Sequence, residues 1–91
     1  LKRIRWTSAA AADLTEISDY LQIHHPRHRD STIRKLYATI RSLRDFPYRG
    51  RPGRESGTRE LVLAPLPYIA IYRVNNSAIE ILRVRHGAQE R

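Results

Sequence analysis

The sequence predicts an α+β domain of element order β-α-α-β-β-β, with a helical hairpin packed on one face of a small, mainly antiparallel sheet. Three observations predict it. Apolar residues recur at spacings of three and four in two consecutive stretches of the first half, a Gly/Pro-rich break follows at residues 46–58, and the second half alternates with period two. At 91 residues the chain makes one domain, 1–91, too small for a deep cofactor cavity.

Ile4 and Trp6 alternate with Arg3 and Arg5, a short strand with one apolar and one basic face. Thr7 and Ser8 each offer a hydroxyl to cap a helix, and four alanines at 9–12 favour its first turns. Ala10, Leu14, Ile17 and Leu21 form its apolar stripe, and Asp13, Glu16 and Asp19 are expected to face water. His25-Pro26 ends that helix near His24. A second helix begins near residues 28–30, with Ile33, Leu36, Ile40 and Leu43 as its stripe and Arg27, Arg34 and Arg41 superimposed at seven-residue spacing, flanked by Arg44. Phe46-Pro47 stops it, and residues 48–58 read as an ordered surface loop carrying Arg49, Arg51 and Arg54.

Leu61 and Leu63 then alternate with Glu60 and Val62, residues 64–67 turn, and Tyr68–Val74 is rich in aromatic and β-branched residues. Asn75-Asn76 marks a tight turn, read from asparagine's tolerance of positive φ, before a last strand over Ala78–His86. Strict alternation there puts Glu80, Leu82, Val84 and His86 on one face and Ile79, Ile81, Arg83 and Arg85 on the other. Trp6, Leu61 or Val62, Tyr72 and Leu82/Val84 are the expected sheet contribution to the core, with Arg73, Arg83 and Arg85 clustered away from the helices.

Seventeen Lys+Arg against nine Asp+Glu give a net charge of +8, and Arg supplies all the basic residues except Lys2 and Lys35. The charge points to an anionic partner, and Arg suits carboxylates and phosphates through its planar fork of donors. An Arg-favouring genome accounts for the Arg:Lys ratio but not for the net charge. The absence of cysteine removes disulfides and thiolate chemistry and fits a cytoplasmic location. No stretch is long and apolar enough for a membrane span, and the first residues lack the apolar middle of a signal peptide, so no membrane partner is expected. His24, His25 and His28 straddle Pro26 without a carboxylate in ligand spacing, so neither a metal nor another cofactor is assigned.

With these elements in place, the chain resembles the RelE/ParE superfamily of toxins from bacterial type II toxin–antitoxin modules, also labelled plasmid stabilisation proteins. The resemblance rests on Trp6-Thr7 before the Ala-rich helix with Asp13-Leu14 and Ile17; Phe46-Pro47 leading to Gly50-Arg51-Pro52-Gly53; Gly57-Thr58-Arg59-Glu60-Leu61; Pro67-Tyr68-Ile69 with Ile71-Tyr72-Arg73-Val74; and Ile81-Leu82-Arg83-Val84-Arg85-His86-Gly87. It implies a growth-inhibiting toxin held in a hetero-oligomer by a cognate ParD- or RelB-like antitoxin from the adjacent gene. RelE-like members resemble ribosome-dependent mRNA endoribonucleases and carry lysines on the first strand of the meander, an Arg opening the next strand, and an Arg and a Tyr near the C-terminus. Here the first of those strands has no lysine, the next opens with Tyr68-Ile69, and no tyrosine follows Tyr72. The closer resemblance is to ParE-like members, which act on DNA gyrase without chemistry of their own. On that reading Arg83, Arg85, His86 and Gln89, with Arg49, Arg51 and Arg54, contact the target or the antitoxin. The alternative is a ribosome-dependent nuclease with His86 as general acid or base and Arg59, Arg73 and Arg83 around the phosphate. If neither holds for His86, it ends a strand beside Gly87 and hydrogen-bonds a backbone carbonyl.

Overall fold

Strand β1 (Arg3–Trp6) hands over to helix α1 (Ser8–His24) at Thr7, whose hydroxyl serves both elements. In this computed structural model, which describes residues 2–87, Thr7 Oγ1 accepts the Ala10 N–H at 3.1 Å and satisfies one of the free donors of the first turn. The same hydroxyl lies 3.0 Å from the carbonyl oxygens of both Ile81 and Leu82, so the helix cap is also a tie to the last strand. The chain leaves α1 at His25, makes a 3-10 turn over Pro26–His28, and enters helix α2 (Arg29–Arg41), which a second 3-10 turn, Ser42–Arg44, extends. Arg27 therefore precedes α2 rather than lying within it. Leu36, Ile40 and Leu43 are buried as their spacing requires; Ala10 and Leu21 are buried from α1, with Leu14 and Ile17 packed against the same cluster. Arg29 Nε donates to Ser18 Oγ at 3.0 Å and links the two helices.

The sheet has five strands in the order β1-β5-β4-β3-β2, where β2 is Arg51–Pro52, β3 Arg59–Val62, β4 Tyr68–Val74 and β5 Ala78–His86. The predicted order of the longer elements and the antiparallel meander are both present, and β1 completes the sheet by pairing in parallel with β5. Strand β2 was not expected. It is a two-residue pairing in which Arg51 and Pro52 lie opposite Glu60 and Arg59. No period-two pattern marks so short an edge.

Tyr72 is fully buried and organises the loop that leads to β2. Its hydroxyl donates to Pro47 O and accepts the Gly50 N–H, both at 2.8 Å. Gly50 has to be glycine at this approach, because a Cβ there would lie 2.7 Å from the Tyr72 ring and 2.8 Å from Glu60 O. Burial raises the Tyr72 phenol above its ordinary value, although the Gly50 hydrogen bond and the charges of Arg59 and Arg49 oppose the shift. The turn at Asn75 forms for a different reason from the one expected. No described residue other than glycine has positive φ; instead Asn75 Oδ1 accepts the N–H groups of Ser77 and Ala78 at 3.1 and 2.8 Å. Ala64-Pro65 is a cis peptide within the predicted turn. No helix among the described residues is long and apolar enough to cross a membrane.

Two core assignments change. Trp6 is only partly buried and packs at the rim of the core against Tyr37, ring centroids 5.5 Å apart. Along β5, Ile79 and Ile81 are buried together with Val84, which strict alternation forbids. The cause is a bulge: Ile71 pairs with Arg83 and its neighbour Tyr72 with Ile81, leaving Leu82 as an extra residue.

Candidate functional site

The bulge sets the chemistry at the end of β5. It shifts the phase of the strand after Leu82 and lets Val84 join Ile79 and Ile81 in the core. Asp13 of α1 fastens this segment. Its Oδ2 accepts from Arg83 Nε at 2.8 Å and from the Val84 N–H at 2.9 Å, while Oδ1 accepts from Arg83 Nη2 at 2.9 Å. The expectation that Asp13 faces water is thereby overturned: the residue is 9% exposed. Asp13 stands three residues after Ala10 and four before Ile17, so it falls on the apolar stripe itself, and a carboxylate at that position needs a partner. That spacing is the signal by which the sequence could have revealed it. Burial works against ionising Asp13, but the hydrogen bonds from Arg83 and Val84 and the charges of Arg83 and Arg85 outweigh it and hold the carboxyl below its ordinary range. The Arg83 guanidinium is shifted upward by the same pair. Arg83 was expected to lie on the sheet away from the helices; it reaches across the bulge to α1 instead.

Two grooves meet at this clamp. One, of about 860 Å³, lies between α1 and the end of β5, with Ile17, Leu21, Leu66 and Tyr68 among its apolar residues and His25, His28, Arg83, Arg85 and His86 among its polar ones. The other, of about 430 Å³, lies on the opposite face of the sheet and is bordered by Arg54, Glu60, Arg73, Leu82, Arg83 and Arg85. Arg83 and Arg85 border both. Arg73, Arg85 and Arg54 border the second groove, and Arg83 borders it too, but its guanidinium is held by Asp13 of α1 rather than clustered away from the helices as expected. Glu60, 8% exposed, holds Arg51 there through a 3.0 Å bond from Nε to Oε1.

The four residues proposed for a nuclease do not converge. His86 sits opposite Tyr68 on the helix side, its ring edge-on to the tyrosine at 5.7 Å. Burial, reinforced by nearby Tyr20, raises the Tyr68 phenol. Arg59 sits opposite Tyr72, four residues away along β4, or about 13 Å of strand. Its Nη1 donates to Gly50 O at 2.7 Å and Tyr48 O at 3.3 Å, and its guanidinium covers the Tyr48 ring at 4.9 Å. Arg73 borders only the outer groove. Among the residues named for target contact, Arg83, Arg85 and His86 share the end of β5, Arg54 approaches them across the outer face, and Arg49 turns back to Ser42 Oγ at 2.6 Å. Gln89 lies outside the described residues. No group of three His, Asp or Glu among the described residues comes together in metal-ligand geometry.

The comparisons with known proteins agree with the resemblance. A family model described as the ParE toxin of the type II toxin–antitoxin system, parDE, matches residues 4–91. The protein Y4kP of Sinorhizobium fredii, named as a toxin, is 42% identical over 89 residues, 98% of this chain and 92% of that protein. Toxin RelE2 of Caulobacter vibrioides is 36% identical over 89 residues, 98% of this chain and 99% of that protein. Among solved structures, a chain of the chromosomal ParDE system from P. aeruginosa superposes with a TM-score of 0.85 at 30% identity, covering 93% of this chain and 95% of that one. The chain belongs to the ParE toxin family of type II toxin–antitoxin systems, within the RelE/ParE superfamily.

Proposed function

We propose that this toxin inhibits growth by poisoning DNA gyrase in the ParE-like manner, and that a cognate antitoxin from the adjacent gene holds it inactive in a cytoplasmic hetero-oligomer. The observation that carries the reading is the dispersal of the nuclease candidates. Arg59 is spent on backbone carbonyls and His86 lies about 13 Å of strand away from it, so no single site offers both a proton-transfer group and all three arginines. A gyrase poison needs a binding surface rather than a catalytic constellation, and the end of β5 with the loop bearing Arg49, Arg51 and Arg54 supplies one. The groove between α1 and β5 joins apolar residues to Arg83 and Arg85, which suits an antitoxin segment carrying apolar and acidic side chains. Purified toxin added to gyrase is expected to reduce supercoiling and accumulate cleaved DNA, and antitoxin to reverse both; unchanged supercoiling and cleavage would refute the reading.

A second reading, an mRNA endoribonuclease acting on the ribosome, is favoured by the 36% identity to a toxin named RelE2 and by the shared groove of His86, Arg83 and Arg85. It requires codon-positioned cuts on translating ribosomes that vanish in a folded His86→Ala variant.

A further inference from the structure

Helix α2 and the 3-10 turns at its two ends carry a feature that neither groove uses. Arg27, Arg34 and Arg41 recur every seven residues, close to two helical turns, so Arg34 and Arg41 stand about 10.5 Å apart along one line. Between them Ala38 lies on one side of that line and Tyr37, packed against Trp6, on the other. Lys35 and Arg44 flank it. All five cations are exposed, and among the described residues none of their five charged groups makes a hydrogen bond or ion pair. Asp30, the one acid within α2, is engaged by Arg29 at 3.0 Å. Like charges in this arrangement repel one another, and a bound polyanion relieves the repulsion.

An independent observation lies at the C-terminal end of the same helix. Phe46 and Tyr48 are 66% and 63% exposed on either side of Pro47. They are fixed against the helix end, because the Phe46 N–H donates to Ser42 O at 3.1 Å and Arg49 Nη1 to Ser42 Oγ at 2.6 Å. Arg59 covers one side of the Tyr48 ring, which stiffens it as a platform.

We propose that the basic ridge of α2, running into the Phe46–Tyr48 turn, binds single-stranded nucleic acid without sequence preference. The cations take the phosphates and the two rings take unpaired bases, the combination used by sequence-tolerant single-strand binders. A duplex keeps its bases stacked and leaves both rings idle, while an acidic peptide supplies charge without a repeating stacking face. Phosphate contacts and stacking on a ring face do not read base edges, which is why the binding is indifferent to sequence. The inference does not depend on whether the toxin acts on gyrase or on the ribosome.

The test is fluorescence anisotropy of a labelled mixed-sequence single strand, with its duplex and an acidic peptide of equal charge as competing probes, across a salt series. The full chain is expected to prefer the single strand. Arg34→Gln combined with Arg41→Gln should flatten the plot of log affinity against log salt by about 1.4, two phosphates at about 0.7 each for single strands. Phe46→Ala combined with Tyr48→Ala should lower affinity at least about fivefold with the salt slope unchanged. Lys2→Gln combined with Arg3→Gln, which removes the same charge from the β1 edge, should leave the slope as it is. All these positions are outside the core, and circular dichroism checks that each variant folds. Equal or tighter binding of the duplex, preference for the acidic peptide, or an equal loss from the β1 control would overturn the proposal.

Discussion

Replacing Asp13 with Asn removes the charge at the clamp between α1 and β5 while keeping the shape of the side chain. Two Arg83 hydrogen bonds and one from Val84 N–H converge on the carboxylate. A hydrogen bond to a charged group contributes about 1.5–3 kcal/mol, and breaking a fully buried ion pair costs about 3–5 kcal/mol. The Arg83 side chain is 41% exposed, so solvent screens part of the interaction and the lower end applies, about 2 kcal/mol. For a domain of this size that lowers the melting temperature by about 8–16 °C. Asp13→Ala should cost about 1–3 kcal/mol more, because the buried Val84 N–H loses its partner as well. The pH profile gives a second reading of the same group. Asp13 titrates in the fold below its ordinary 3.8, so its contribution is complete above that pH and is lost as the pH falls through the lower folded value. Thermal unfolding followed by circular dichroism at neutral pH and across the acid range measures both. An Asp13→Asn variant within about 0.5 kcal/mol of the parent, or one with an unaltered acid limb, would refute the account of the clamp.

Tyr72→Phe leaves the Gly50 N–H and Pro47 O without their partner in a buried site and should cost about 2 kcal/mol in urea unfolding, with loosening of the Arg49–Arg51 loop visible as faster amide exchange at Gly50. Because burial raises the Tyr72 phenol above 10.0, its contribution is full below that pH and falls away as the pH rises through the folded value; the Phe variant should lack this alkaline loss. Asn75→Ala removes the side-chain acceptor for two N–H groups of the β4–β5 turn and should lower stability by about 1 kcal/mol, measured by the same urea titration, whereas Asn76→Ala should have little effect.

The helices and the three long strands were legible because each has a period and a punctuation mark: Thr7 before α1, Pro26 and Pro47 after the helical stretches, and Asn75 between the last two strands. The features that shape the site were less legible because they break local rules. A bulge at Leu82 is one residue out of phase, and nothing in Ile81-Leu82-Arg83 distinguishes it from a regular strand; only pairing with β4 shows that Leu82 is unmatched. Acids on amphipathic helices usually face water, which predicts a solvated Asp13; its spacing from Ala10 and Ile17 is the competing signal, and a carboxylate on that stripe is buried only with a partner. The basic character of positions 73, 83 and 85 is legible, but which face each serves depends on that bulge, which lets Arg83 turn to Asp13. Residue type alone makes Arg59 a candidate phosphate ligand, whereas its hydrogen bonds to Gly50 and Tyr48 exist only once the loop has closed over Tyr72.

The parallel pairing of β1 with β5 has a consequence for the timing of folding. The tie from Thr7 to Ile81 spans 74 residues of chain, and the clamp from Asp13 to Arg83 spans 70. Helices α1 and α2 can form from local contacts as soon as they are made, but the first strand waits without a neighbour until the last one has emerged from the ribosome. The groove between α1 and β5 and the joint cationic border of both grooves come into being together at that final step. A nascent chain therefore offers no finished groove until β5 has joined the sheet.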